Sequence, residues 1–416
     1  MATFYFQRDT KVYIHVPTGT AGTNAMYYEL PVLDGYSFSQ ATNTSEITLN
    51  QAQDTSGNSI RARQMFNDSF APAEWSFSTY MSPYLTKTAA AVYGVAGAGG
   101  TTDSSTTLHR EVSEALWGMF FAQKLNDVIT TAATAGGGGN TSGLDINTNN
   151  SDKATLGVFD LYFVLSGATA TSYVASIPDT AYADATSKTY KIANCSVNEF
   201  SFDFDIDGLA TIAWSGQGKI ITEVAGLDMR SSALGATLVT EGNYSNATGA
   251  ANTTGFIRNR VSDLVITGDS TMGGGSPVTY ATTLTGGNIT GSNNLTYLTP
   301  ETLGIVNQPL GHITGTRNIG GNFTCYLDNV GSGSAELFED IIESTSDISN
   351  SCSVTFDIGA STAPYTKIVM PTAHLEVPTI TIEDVISLET NFHALPSTLA
   401  GANEITDFNF FGVAVG

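Results

Sequence analysis

Asp203, Asp205 and Asp207 stand at every second position and are followed by Gly208. Oxygen ligands at that spacing, ahead of a sharp turn, open the loops that wrap a hard cation such as calcium. The match stops there. Position twelve of such a loop is Trp214 in place of a bidentate glutamate, and Phe202, Phe204 and Ile206 fill the gaps at strand period. Three carboxylates on the wet face of a strand are the simpler reading, with weak divalent-ion binding as its alternative, and no cofactor is expected. His15, His109, His312, His374 and His393 show no metal spacing,. Gly331-Ser332-Gly333-Ser334 precedes a helical pattern, but the Gly-Lys-Ser/Thr ending of a phosphate loop is missing, so it reads as a turn with an N-cap,. Cys195, Cys325 and Cys352 lack C-x-x-C spacing and read as buried thiols,. No nucleophile, base and orienter can be assembled, so no catalytic residue is assigned and an enzyme is not expected.

The element that must position the aspartates is the segment VNEFSFDFDIDGLATIAWSGQG (197–218). Phe200, Phe202, Phe204 and Ile206 alternate with Ser201 and the three aspartates, and strand side chains alternate sides, so rings and carboxylates face opposite ways,. Asp207-Gly208 accepts positive φ and joins this run to a second one through Ala210, Ile212 and Trp214,. The expected product is a sheet with one dry face and one acidic face.

Composition narrows the function. Against 39 Asp+Glu the chain sets 16 Lys+Arg, a net charge of -23, which repels a polyphosphate instead of neutralising it,. Charged residues are 13% of the chain, below the roughly 25% usual in soluble domains, and Gly, Ser, Thr and Asn take their place. Met1-Ala2-Thr3-Phe4 opens with no basic or apolar leader, so export through a cleaved signal is not expected,. No apolar run approaches the roughly 20 residues of a membrane span, and no membrane insertion is expected.

Read in order, the chain is mainly β. Short strands are expected at 4–6, 12–16, 36–38 and 47–49, and an amphipathic strand at 74–81 places Trp75 and Phe77 on one side,. The stretch 89–102 reads as a loop. Val112, Leu116, Met119 and Phe120 recur at helical steps within 108–125, giving a first helix, and the Gly-rich stretch 130–152 reads as a linker,. Strands return at 158–165 and 190–192. The stretches 230–254 and 268–294 turn to Gly/Ser/Thr/Asn with few anchors.

The last third repeats the first. Phe323-Thr324-Cys325-Tyr326-Leu327 echoes Phe77-Ser78-Thr79-Tyr80-Met81, and a second helix follows at 335–343 with Leu337, Phe338, Ile341 and Ile342 as its apolar stripe,. The segment 375–392 restates 197–218: Ile382 to Phe392 matches Phe204 to Trp214 in length, and Glu383 falls where the first copy has Asp205. Two repeats are therefore expected, 1–235 and 255–416, joined by a linker at 236–254. The expected core comprises Trp75, Phe77, Leu116, Phe120, Phe200, Phe202, Phe204, Trp214, Phe323, Ile341, Ile382 and Phe392.

The texture and order of the chain resemble the tail tube (major tail) proteins of long-tailed bacteriophages. The resemblance is carried by Leu30-Pro31-Val32-Leu33-Asp34-Gly35-Tyr36-Ser37-Phe38, by Trp75-Ser76-Phe77-Ser78-Thr79-Tyr80, by Asp205-Ile206-Asp207-Gly208 with Trp214-Ser215-Gly216, and by Pro371-Thr372-Ala373-His374-Leu375 with Glu383-Asp384-Val385. It implies two β-sandwich or barrel domains, each flanked by one helix, with long Gly/Thr/Asn-rich insertions at 130–152 and 231–294. It also implies a structural virion protein made in the host bacterial cytoplasm, whose rings stack into a hollow tail tube. Such rings usually hold six single-domain chains, so a duplicated chain would form a pseudo-sixfold ring from three.

Partners implied by the resemblance are further copies of the chain, a tape measure protein, a tail terminator, baseplate or tip proteins, and a sheath if the tail contracts. Double-stranded DNA would pass without specific binding along a lumen lined by Asp203, Asp205, Asp207 and Glu383. The chief rival is a surface-layer or adhesin-type all-β protein, which needs an export route. A carbohydrate-processing enzyme would need paired carboxylates across a cleft, and this aspartate row lies along one strand.

Overall fold

In a computed structural model of the chain, the residues described are 5–17, 26–47, 55–58, 63–86, 108–121, 129–133, 140–144, 156–167, 188–224, 237–239, 256–268, 276–303, 305–343, 352–359, 364–382, 385–398 and 403–414. Strands dominate them. The first half supplies β1 (Tyr5–Val16), β2 (Met26–Leu30), β3 (Ser37–Ile47), β4 (Gln64–Tyr80), β5 (Pro83–Thr86) and β6 (Leu108–Glu111). Helix α1 (Glu114–Phe121) follows, then β7 (Ile129–Ala133), β8 (Asn140–Leu144) and β9 (Phe159–Gly167). This half ends with β10 (Lys188–Asp205), β11 (Thr211–Gly218), β12 (Ile221–Val224) and β13 (Thr237–Val239). The second half runs β14 (Asp263–Gly268), β15 (Thr279–Ala281), β16 (Leu284–Ser292), β17 (Thr296–Leu298), β18 (Gly311–Ile313) and β19 (Asn318–Tyr326). Helix α2 (Ser334–Glu343) leads to β20 (Cys352–Ile358), β21 (Tyr365–Leu375), β22 (Thr379–Thr381), β23 (Ser387–Ala394), β24 (Asp407–Phe411) and β25 (Val413–Ala414).

One long antiparallel sheet runs β3-β4-β11-β10-β16-β19-β23-β22. Strand β10 serves two sheets. Its last residues pair with β11 and β16, whereas Lys188 to Ile192 lie between β9 and β12 in a second sheet, ordered β2-β1-β9-β10-β12. The change of sheet falls at Asn194, whose φ is 51°, where the register slips between Ile192 and Cys195,. Strand β21 does the same in the second half: Tyr365 to Val369 pair with β24, and Ala373 to Leu375 pair with β23. Its other sheet is ordered β15-β14-β20-β21-β24. The pairing order of the first half thus recurs in the second. Local detail recurs with it: Met81 N–H donates to the Ala210 carbonyl and Leu327 N–H to that of Ile386, each at 2.9 Å.

The dry face of the long sheet is sealed by α1, all of whose residues are buried. The Trp117 ring meets Phe200 and Trp214 edge-on, with centroids 4.7 Å away in both cases, and Phe408 of β24 at the same distance. Phe120 adds an edge contact to Phe200 at 4.9 Å,. The buried Asn293 side chain ties the helix to the sheet by donating to the carbonyls of Phe120 (3.0 Å) and Val197 (3.2 Å). Helix α2 covers less, burying only Ser334, Leu337 and Ile341.

Several sequence expectations change. The first helix is shorter than 108–125, because residues 108–111 form β6 and Ser113 accepts the first helical bonds from Leu116 (2.9 Å) and Trp117 (3.2 Å). Residues 122–125 and the loop at 89–102 lie outside the described residues. The supposed linker at 130–152 contains most of β7 and all of β8, and the supposedly anchorless 268–294 contains β16, an interior strand of the long sheet. Ile382, expected in the core, is 80% exposed, because β22 is the outermost strand of the sheet among the described residues and none of these covers its end. The other eleven expected core residues are buried. Thr390, and not Phe392, pairs across β19 and β23 with Phe323 as Trp214 pairs with Phe77, so the pairing of the second half is two residues out of the sequence alignment there.

Two glycines of β16, Gly287 and Gly291, lie beneath rings. A Cβ on Gly291 would sit 2.2 Å from Phe200 Cε1 and 2.9 Å from Phe120 Cζ. Gly291→Ala should therefore cost about 1–3 kcal/mol, seen as a lower urea midpoint, while Gly311→Ala, where nothing lies within 4 Å, should leave the midpoint in place. Equal midpoints for the two variants would contradict this packing.

A second prediction concerns the entry to α1. The buried Glu111 carboxylate accepts from the Ser113 N–H (2.6 Å) and hydroxyl (2.7 Å), and burial, outweighing these bonds, pushes its pKa up to about 7. The folded chain therefore keeps a proton that the unfolded chain releases near the ordinary carboxylate value of 4.5. This contribution is full below that value and is lost as pH rises through about 7, amounting to about 3 kcal/mol at most. Glu111→Gln should shrink the stability difference between pH 5 and pH 8 relative to the parent chain; an undiminished difference in urea titrations would refute the assignment.

Candidate functional site

The face of the long sheet opposite α1 curves into a trough holding a cavity of about 880 Å³. Strand alternation dictates its lining. While Trp75, Phe77, Phe200, Phe202, Ile212 and Trp214 point into the core, Ser76, Ser78, Ser201, Ser215, Thr290 and Ser292 line the trough,. Hydroxyls make the floor. Carboxylates stand among and beside them, with Glu74, Glu199, Asp203, Asp205 and Glu389 all exposed. The eight strands of the sheet contain no Arg, and their only lysines, Lys188 and Lys191, lie in the half of β10 that belongs to the other sheet. No lysine or arginine from these strands enters the trough; His393 of β23 lines it, 3.1 Å from the Glu376 carboxylate.

Asp203 accepts a hydrogen bond from the Ser201 hydroxyl at 3.3 Å, and Asp205 accepts from the Ile206 N–H at 2.7 Å, which fixes the start of the turn. Asp207 is exposed at the tip of that turn, next to Gly208 at φ 122°. Glu383 lies outside the described residues. The three aspartates spread along one strand and its turn instead of converging, and among the described residues no cluster of three metal-ligating side chains occurs.

Sequence reasoning missed four carboxylates of this face. Glu199 has the parity of Asp203 and Glu74 the parity opposite Trp75, so both were open to detection by extending the alternation outward,. Glu376 and Glu389 needed the fold, because the pairing of β23 brings them in. Glu376 accepts from Asn391 Nδ2 (2.8 Å) and lies 3.1 Å from His393 Nε2, and these partners, Asn391 first, hold its carboxyl below the usual range. The chemistry such a surface supports is hydration and repulsion of anions.

No family model matches the chain. A comparison with curated proteins finds the tail tube protein pb6 of Escherichia phage T5, 27% identical over 402 residues that cover 95% of this chain and 74% of that protein. The chain is a relative of the phage tail tube proteins. At 95% coverage the similarity extends through both halves of the chain. That protein is, by its name, a component of a phage tail tube; this chain has a mainly β architecture and a polar trough.

Proposed function

We propose that this chain forms rings that stack into the hollow tail tube of a long-tailed phage, with the trough as its share of the bore. The observation that carries the reading is the lining: hydroxyls and carboxylates on one concave face, without lysine or arginine, in a relative of tail tube proteins. Repulsion at such a wall keeps a polyanion moving, since each cation placed there would instead release counterions and hold a phosphate. Asp203, Asp205, Asp207 and Glu383 are the lumenal acids of this reading, with Glu74, Glu199 and Glu389 beside them.

The recurrent strand order supports a duplicated chain, 1–235 and 255–416, each repeat carrying one helix. Three copies would then build a ring of six similar sectors. Its partners are the tape measure protein, the tail terminator, baseplate or tip proteins and, in a contractile tail, the sheath. Its place is the virion tail, after synthesis in the host bacterial cytoplasm. A surface-layer or adhesin-type subunit shares the composition but would assemble as a flat lattice. Negative-stain microscopy of concentrated protein should show stacked hollow rings, and the mass of an isolated ring should be three times that of the chain. Six chains per ring would remove the pseudo-sixfold arrangement, and lattices would remove the tube.

Changing Asp203, Asp205 and Asp207 together to Lys should leave tubes assembling, because all three side chains are exposed, yet slow genome delivery. Phage carrying the triple change with normal infectivity would place these residues away from the DNA path.

A further inference from the structure

Among the described residues, the long sheet has an unpaired edge at each end, on β3 and on β22. Both edges have a counterpart inside the chain, where β10 and β16 join in a register that sets Asp203 opposite Asn288. The correspondence can be read across the rungs. Tyr80, Thr211 and Asp203 pair in sequence as Tyr326, Ser387 and Thr381 do, so Thr381 stands where Asp203 stands. Ser37 pairs with Ser76, four residues before Tyr80, as Asn288 pairs with Asn322, four before Tyr326, so Ser37 stands where Asn288 stands. The open edges are thus the two halves of a junction the molecule already makes once.

We propose, resting on the ring reading above, that β22 of one copy pairs antiparallel with β3 of a second copy, Thr381 opposite Ser37 and Thr379 opposite Ser39, with the apolar pairs of the internal junction inverted. Inside the chain, Phe202 faces Ile289 and Phe204 faces Gly287. Between copies, Ile380 faces Phe38 and Ile382 faces Tyr36. The large rings move to the other strand. Phe202 and Phe204 are 1% and 5% exposed, whereas Ile380 and Ile382 are 43% and 80% exposed and wait for a cover. Tyr36 and Phe38 are held ready by stacking on Phe163, at 5.6 and 4.5 Å. A Cβ on Gly287 would come within 2.9 Å of Phe204 Cζ, which shows how fully that ring fills the internal junction.

The inversion keeps the two junctions from replacing each other. Against β3, strand β10 would force Phe202 onto Phe38 and Phe204 onto Tyr36; against β16, β22 would leave Ile382 over a glycine and an empty volume beside it. Both wrong pairings are disfavoured, one by overlap and one by a void.

The test uses the full chain. Ser37→Cys with Thr381→Cys should give, on oxidation or with a short bis-thiol linker, a covalent ladder that ends at the closed ring. Ser39→Cys with Thr381→Cys, two residues out of register, should link poorly. Rings in which the first pair stays unlinked, or links less than the second, overturn the register. Ile382→Asp alters an exposed side chain and should leave the monomer folded while raising the concentration for ring assembly at least about tenfold. Ile380→Phe should do likewise, with recovery on adding Phe38→Ile. Unchanged assembly by Ile382→Asp would overturn the apolar exchange even if the cysteines link. A parent chain that stays monomeric at high concentration would sink the ring reading and this pairing with it.

Discussion

The side chains of β10 face two media that cannot be exchanged. Each phenylalanine among 200–204 gains roughly 2–3 kcal/mol by leaving water, whereas burying the aspartates between them without partners would cost more than that gain. The sheet must therefore be covered on one side and wet on the other. The rest of the fold serves that constraint. Helix α1 and the flanking sheets close the dry side, and the wet side, left uncovered, becomes the trough.

The cover is a helix too short to be stable alone, since eight residues make fewer bonds than helix nucleation requires,. It persists because tertiary contacts hold both ends. Ser113, bound by the buried Glu111, starts it, and Asn293 takes up the carbonyl of Phe120 near its end. Between these, Trp117 packs against rings from β10, β11 and β24, and edge contacts of this kind add about 0.5–1.5 kcal/mol each beyond burial. Because β24 belongs to the second half of the chain, the helix of the first half also fastens the halves together. Among the described residues no comparable enclosure surrounds α2, and most of its residues stay partly exposed.

Legibility in the sequence followed side-chain size. Strands with alternating large apolar residues, such as β4, β10, β11 and β23, declare their dry face directly, and so did the two helices through residues such as Leu116 and Ile341. Strand β16 did not. Its sequence, LTGGNITGS, reads as loop because the apolar side chains that bury it belong to β10 and α1. A glycine strand beneath a row of rings is a complementary fit that no single-strand pattern contains. The same limit hid Glu376 and Glu389, whose place depends on which strands are neighbours. Ile382 misled in the opposite direction: its parity matched Phe204, but parity reports which way a side chain points and not whether anything lies there to meet it.

The proposed bore asks for a wall that neither binds DNA nor excludes water, and hydroxyls alone would not provide it. Serine and threonine donate hydrogen bonds to phosphate as readily as to water, so a floor of Ser76, Ser78, Ser201 and Ser215 would offer weak but numerous holds. At physiological ionic strength charges are screened beyond about 8 Å, and carboxylates therefore act only on a phosphate already near the wall. Few are needed if they are spread along it. Glu74, Glu199, Asp203, Asp205 and Glu389 come from three strands, β4, β10 and β23, three of them from β10, so that the repulsion is densest toward the end of the β10 hairpin. A low share of charged residues and a strongly negative balance are thus compatible: the trough is mostly neutral and wet, and in the proposed bore its carboxylates would sit where contact would otherwise become adhesion.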